Sequence, residues 1–357
     1  MKWNPVRLSP AEYVNEAGIL RQLRQILSAK GGYQKPLVLT DQRVIQATRK
    51  YLPAGFYEQE RVLLFAGSCT DAEAQRITQS VKDEDVIIAL GGGQLLDTAK
   101  IVAAQTKTAL INIPTVPSNC AAITTKSMIY TEKAHELCGR KRHAEPVNLV
   151  LVDPLLLRHA PKQYLLSGIG DTLAKWYEIR RRLNVPAAQG AILEIARKAI
   201  EITRERTLAI SDLDKLDEQT FSALLDTIFL VAASVDGFAA ARGRSVAAHS
   251  FHNSYLKAVA HPVKTHGEIV AFGVLVQLAI EAEYTELAEL LEFYQRIGLP
   301  TQLAELKLQP KTAVIHAIAT EMVAPTNLRI QTVYPNLSEA KVFAAINSLG
   351  GARENAI

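Results

Sequence analysis

Cysteine is scarce in this sequence: Cys69, Cys120 and Cys138 are the three among 357 residues, odd in number and far apart. That argues against a disulfide framework or a CxxC zinc site and fits a reducing, cytoplasmic compartment. An excess of charge of one sign is also missing. With 40 basic against 36 acidic residues, and Arg140-Lys141-Arg142 as the densest cluster, nothing marks a nucleic-acid or membrane surface. No repeat, no low-complexity segment and no apolar run of membrane-spanning length stands out, and the start MKWNPVRLSPAEYV lacks the apolar core of a secretion signal. What remains is a chain too long for one core, with 48% hydrophobic residues, enough to fill two. The default is a two-domain globular enzyme acting on a small molecule.

Histidine, by contrast, is concentrated. Four of the eight lie in VAAHSFHNSYLKAVAHPVKTHGE, Val246 to Glu268. His249 and His252 are three residues apart in an alanine-rich helical pattern and so share one helix face. Pro262 breaks that helix, and Thr265-His266-Gly267-Glu268 reads as a capping box opening the apolar run IVAFGVLVQLAI. His266 therefore sits in a first helical turn, whose positive end favours the neutral, metal-binding imidazole. Taken singly, each histidine reads first as a hydrogen-bonded core residue. A metal site would also need a carboxylate. Asp171, at the end of QYLLSGIGD and before the helix TLAKWYEIRRRL, is either an N-cap or, with His249 and His266, the third member of a mixed oxygen and nitrogen set with one position open.

Along the chain, an amphipathic helix is predicted over Val14 to Leu27, followed by strands LVLT, RVLLFAG, DVIIAL, ALINI and VNLVLVD separated by helical stretches. Strands alternating with helices predict a mostly parallel sheet, with ligands outside the carboxyl ends of its strands. Asp41, just past LVLT, either caps the next helix or accepts hydrogen bonds from an adenosine ribose, which would select NAD(H) over NADP(H). Gly91-Gly92-Gly93 join a buried strand to the helix QLLDTAKIVAAQ, where backbone N–H groups and the helix dipole suit a pyrophosphate. Asp97 lies in that helix's first turn. ALINI ends in the rigid polar loop PTVPSNC, and KSMIYTEKAHELCG reads as a β-hairpin. After Pro161 long helices take over. The predicted division is an α/β dinucleotide-binding domain at 1–160 and an all-α domain at 161–357.

The pieces GGGQLLDTAK, IPTVPSNCAAIT, GIGDTLAKWYE and AAHSFHN with HGEIVAFG, in this order, resemble the metal-dependent, iron-type alcohol dehydrogenase superfamily, within it the glycerol dehydrogenase and hydroxycarboxylate dehydrogenase group. The resemblance implies a dehydroquinate synthase-like fold with the active site in the cleft between its domains. It implies Asp171, His249 and His266 as metal ligands, Gly91, Gly92, Gly93, Gln94 and Leu95 as the pyrophosphate loop, and Asp41 as the ribose contact. Thr115, Ser118, Thr124, Lys126 and Tyr130 would line the rest of the cofactor cleft, where Asp97 is also counted, and Cys120 would line the substrate pocket. Iron-holding members usually carry a histidine four residues after the aspartate. Here that residue is Lys175, so the set resembles a three-ligand zinc version, with iron or another divalent ion as the alternative.

Two further departures bear on substrate. Glycerol dehydrogenases usually have lysine at Gln94 and aspartate at Cys120, and loss of that aspartate removes a hydroxyl acceptor. The loop around Cys120 is closer to the hydroxycarboxylate branch, whose 2-oxo acids need a cation for their carboxylate: Arg242, Arg244 or Lys126. His252, one turn from His249, reads either as a proton relay or substrate-orienting residue or as the partner in a structural hydrogen bond. The expected activity is a metal-dependent interconversion of a small 2-hydroxy acid and its 2-oxo acid in a homo-oligomer, linked to NAD(H) with NADP(H) as the alternative. The alternatives are a polyol (glycerol) dehydrogenase, a dehydroquinate synthase-like cyclase, which would require a dense basic phosphate pocket not found beside these motifs, and a catalytically inert nucleotide-binding relative.

Overall fold

The computed structural model describes residues 6–132, 137–186, 189–243, 245–309 and 311–350. The chain forms two compact units, one made of Met1–Leu165 with Asp217–Phe238, the other of Leu166–Leu216 with Ala239–Ile357.

The first unit is built on a six-stranded sheet of β1 (Glu12–Asn15), β2 (Pro36–Thr40), β3 (Arg61–Leu64), β4 (Val86–Gly91), β5 (Ala109–Pro114) and β8 (Leu149–Val152). Its order is β1-β8-β5-β4-β2-β3, and every pairing is parallel. β2, β4 and β8 are buried at every position, because helices cover both faces of a parallel sheet, and their sequences are accordingly runs of Val, Ile and Leu. The edge strands β1 and β3 are half exposed. From β2 the chain winds outward to β3, and from β4 it winds the other way to β5 and β8. The switch point between β2 and β4 is where an open α/β sheet leaves a crevice at its carboxyl edge. A separate antiparallel pair, β6 (Lys126–Tyr130) with β7 (Leu137–Arg142), is the expected hairpin, whose tip at 133–136 lies outside the described residues.

Helices of this unit include α1 (Leu23–Gly31), α2 (Gln42–Thr48), α3 (Asp71–Ser80) and α4 (Gly93–Thr106). The helix predicted over Val14 to Leu27 begins only at Leu23. Residues 12–15 are instead extended beside β8, and Gly18, at φ +78°, breaks the chain before a 3-10 turn at Ile19–Gln22. Main-chain pairing across the sheet outweighs the local helical periodicity there.

The second unit is helical: α5 (Lys162–Leu183), α6 (Ala191–Leu208), α8 (Ala247–Ala258), α9 (His266–Glu281), α10 (Tyr284–Ile297), α11 (Thr312–Val323), α12 (Leu328–Val333) and α13 (Glu339–Asn347). α9 is buried along nearly its whole length, as a helix apolar on all sides must be.

The helix omitted from that series, α7 (Glu218–Ala239), departs from the predicted division at 160/161, since Asp217–Phe238 belongs to the first unit. Its Asp226 accepts hydrogen bonds from Tyr13 Oη (2.8 Å) and Asn15 Nδ2 (2.7 Å), and its Asp236 pairs with Lys126 at 2.6 Å. By length and composition α7 is also apolar enough to cross a membrane, contrary to the reading of the sequence that no such run exists. The bonded aspartates and the half of its apolar window that is buried make it a core helix of the first unit.

Candidate metal centre and nucleotide loop

Asp171 is not an N-cap. It lies well inside α5, which runs unbroken from Lys162 through Gly168-Ile169-Gly170. Gly170 persists in mid-helix because α5 and α9 are nearly in backbone contact: a β-carbon on Gly170 would collide with the carbonyl of Gly267, and one on Gly267 with the carbonyl of Ser167. The amide of Gly267 also donates to Ser167 Oγ at 3.0 Å. Each of these glycines precedes or follows a candidate ligand, Asp171 or His266, so the close approach sets the distance between them. The capping box at Thr265 forms as expected, with Glu268 Oε2 accepting from the Thr265 amide at 2.8 Å.

Asp171, His249 and His266 each offer one ligand atom within 4.8 Å of the others. Asp171 Oδ1 is 3.3 Å from His249 Nε2 and 3.5 Å from His266 Nε2. Burial favours the neutral form of the Asp171 carboxyl, but the Lys175 ammonium and the two imidazoles prevail and hold it well below the usual carboxylate range. Burial likewise pushes His249 down, yet the carboxylates of Glu178 and Asp171 outweigh it and raise the ring to about 9. Glu178 itself is buried and held low by the same histidine. Two buried carboxylates thus draw positive charge onto an imidazole, and one oxygen and two nitrogens converge on one point. That donor set and that field fit a divalent cation.

His252 lies edge-on to His266. It is buried, and both ring nitrogens are engaged: Nε2 lies 3.0 Å from His266 Nδ1 and Nδ1 lies 3.0 Å from Asn253 Oδ1. Burial and the neighbouring His266 hold it well below its ordinary value. A ring committed on both sides supports His266 rather than shuttling a proton to substrate. Glu178 was not singled out from the sequence. Its one signal is its position seven residues after Asp171, on the same helix face.

In the first unit, Gly91, Gly92 and Gly93 form the turn from β4 into α4, and no side chain caps that helix. None of the three has a positive φ; at Gly91 and Gly93 it is closeness that matters. A β-carbon on Gly93 would sit 3.2 Å from Asn119 Nδ2, and one on Gly91 would collide with the Leu95 side chain. The uncapped first turn of α4, with Gln94 and buried Leu95, suits a pyrophosphate. Gln94 Oε1 accepts from the Cys69 amide at 3.0 Å, tying the loop after β3 to this helix. Asp41, across the switch point at the end of β2, caps α2: its Oδ1 accepts from the amides of Arg43 and Val44, both at 2.9 Å.

Asp97 is a structural residue, contrary to its placement among the cofactor contacts. It is buried, pairs with Lys100 at 2.7 Å and accepts from the Met128 amide at 2.9 Å. Lys100 in turn donates to the carbonyls of Ala121 (2.8 Å), Thr124 (3.0 Å) and Lys126, fastening the loop that carries Cys120 to α4. Thr115 is buried, its amide donating to the Gly91 carbonyl at 3.1 Å, and Ser118 is half-buried. Tyr130 packs beside Cys69, Ala74, Ile101 and Ile129, and burial pushes its phenol up to about 12. Thr124 and Lys126 open on a cavity of about 250 Å³ that also touches Arg7, Ile123, Asp236 and Phe238. Cys120 is buried at the start of a 3-10 turn. Of the three cations considered for a substrate carboxylate, Lys126 is paired with Asp236, Arg242 is half-buried in the second unit, and Arg244 lies outside the described residues.

A family model described as iron-containing alcohol dehydrogenase matches residues 10–154. Hydroxycarboxylate dehydrogenase A of Escherichia coli (strain K12) is 33% identical over 322 residues, 86% of this chain and 87% of its own. Glycerol dehydrogenase of Thermotoga maritima is 30% identical over 84% of each chain. Among solved structures, a probable glycerol dehydrogenase from Sinorhizobium meliloti 1021 superposes with a TM-score of 0.79 at 26% identity, covering 96% of this chain and 97% of that one.

Proposed function

Because the chain belongs to the iron-containing alcohol dehydrogenase family, we propose that it is a metal-dependent, NAD(H)-linked oxidoreductase interconverting a small 2-hydroxy acid and its 2-oxo acid. The observation that carries the reading is the convergence of Asp171, His249 and His266 within one coordination distance. In such a site a divalent ion supplies a Lewis acid for the substrate oxygen, and the nicotinamide supplies or accepts the hydride.

The residues account for the rest. Asp171 brings a buried carboxylate that stays ionised, and His249 and His266 bring nitrogen donors that would bind in their neutral form, His249 giving up the proton that its two carboxylates hold in the metal-free site. Three protein ligands leave one position of a tetrahedral set for substrate, which favours zinc over an ion needing more donors. Lys175, where a fourth ligand would stand, acts on Asp171 as a cation instead. The glycine turn and uncapped N-terminus of α4 suit the pyrophosphate, and Asp41 the adenosine ribose, favouring NAD(H) over NADP(H). Cys120, buried and without a carboxylate, gives a polyol hydroxyl no acceptor, which supports a 2-oxo acid over glycerol. The relatives named glycerol dehydrogenase keep the polyol as the second reading.

A substrate panel followed at the NADH absorbance separates the two. The expected result is turnover of 2-oxobutyrate with NADH, abolished by a chelator and restored by zinc. Robust oxidation of glycerol with no turnover of 2-oxobutyrate would reverse the substrate choice.

A further inference from the structure

Both imidazoles at the centre present Nε2 to Asp171, so a neutral ring binds an ion there only if its proton sits on Nδ1. The two rings reach that condition differently. His266 Nδ1 faces His252 Nε2, an atom able to donate or accept. His249 Nδ1 faces Glu178 Oε2 at 2.7 Å, and a carboxylate in that environment only accepts. The other oxygen, Glu178 Oε1, accepts from the amides of Val246 (2.6 Å) and His249 (3.0 Å), at the start of α8. Glu178 is therefore aimed by three donors from one short stretch of backbone and ring, and it is fully enclosed.

We propose that Glu178 is a positioning residue that locks His249 with its proton on Nδ1 and its Nε2 lone pair directed at the ion. The assignment rests on Asp171, His249 and His266 being the ligands. Glu178 reaches no substrate and acts only through His249. In doing so it also fixes α8 against α5, two turns along the helix from Asp171, so one side chain sets both the height and the chemistry of the ring.

Replacement by glutamine reverses the lock while preserving shape. The two amide donors require an oxygen at Oε1, so the Gln amide nitrogen falls opposite His249 Nδ1 and donates to it. His249 then carries its proton on Nε2, where the ion should bind. Glu178→Gln is expected to weaken zinc affinity by about 10–100-fold, measured by competition with a chromophoric chelator, with the thermal midpoint of the zinc-free protein near that of the parent.

His249→Ala is the reference variant. If it loses zinc while Glu178→Gln binds as tightly as the parent, the lock is overturned and the ligand assignment stands. If His249→Ala retains stoichiometric zinc, the ligand assignment itself fails. Should Glu178→Gln not fold, ¹⁵N-histidine spectra of the zinc-free parent recorded well above pH 9, where the His249 ring carries a single proton, decide: the proposal requires that proton on Nδ1, and a ring protonated on Nε2 alone overturns it.

Discussion

At the residue scale, none of the three proposed ligands stood out alone, since each histidine reads first as a core residue and Asp171 reads equally as an N-cap; their combination, with the family resemblance, singled them out. What the sequence did not disclose is which buried polar groups serve the ligands. Glu178 meets His249 across 71 residues and His252 meets His266 across 14, distances at which local pattern carries no information. Asp97 shows the converse error. A carboxylate in a first helical turn beside a glycine loop reads as a ligand contact, but Lys100 three residues on occupies it. Replacing a ligand should cost more than replacing its support. His266→Ala is expected to lower zinc affinity by more than the ~10–100-fold typical of an outer partner, with turnover falling in proportion to bound metal. Equilibrium dialysis against zinc, alongside NADH consumption, checks this; unchanged affinity would remove His266 from the ligand set.

At the scale of elements, the sheet and its glycine turn followed from sequence because buried parallel strands are continuous apolar runs. The errors fell where tertiary contact overrides local preference. Residues 12–15 are drawn into the sheet edge by β8, and α5 passes through two glycines that would end a solitary helix. Of the two, Gly170 is where α5 comes against the α9 backbone at Gly267. Gly267→Ala places a methyl against the Ser167 carbonyl, so the helices must separate. The expected cost is about 1–3 kcal/mol of stability, read by denaturant unfolding, together with loss of zinc as Asp171 and His266 move apart. A variant as stable as the parent that still binds zinc would show that the approach does not set the site.

At the scale of the whole molecule, the membership of the two units could not be read from the chain in order. α7 follows two long helices of the second unit and looks like a third. Its polar groups Asp226 and Asp236 find their partners, Tyr13, Asn15 and Lys126, in the first unit. Acid stability belongs to this scale as well. His143 is buried against Ser127 Oγ at 2.8 Å, and burial, with Lys100 and Lys141 nearby, lowers its ring from 6.5 to about 4. The folded value lies below the unfolded one, so the stabilisation is present above pH 6.5 and is lost as pH falls through 4. Between pH 7 and pH 4.5 the parent's thermal midpoint should drop further than that of His143→Gln, and equal drops would contradict the assignment. The central claim, that one divalent ion held by Asp171, His249 and His266 drives NADH-linked chemistry, is tested most directly by titrating zinc into chelator-treated protein while following NADH consumption with 2-oxobutyrate. The account predicts activity rising linearly to a break at one zinc per chain, and none in His249→Ala at any zinc concentration; activity in the metal-free protein, or undiminished activity in that variant, would contradict it.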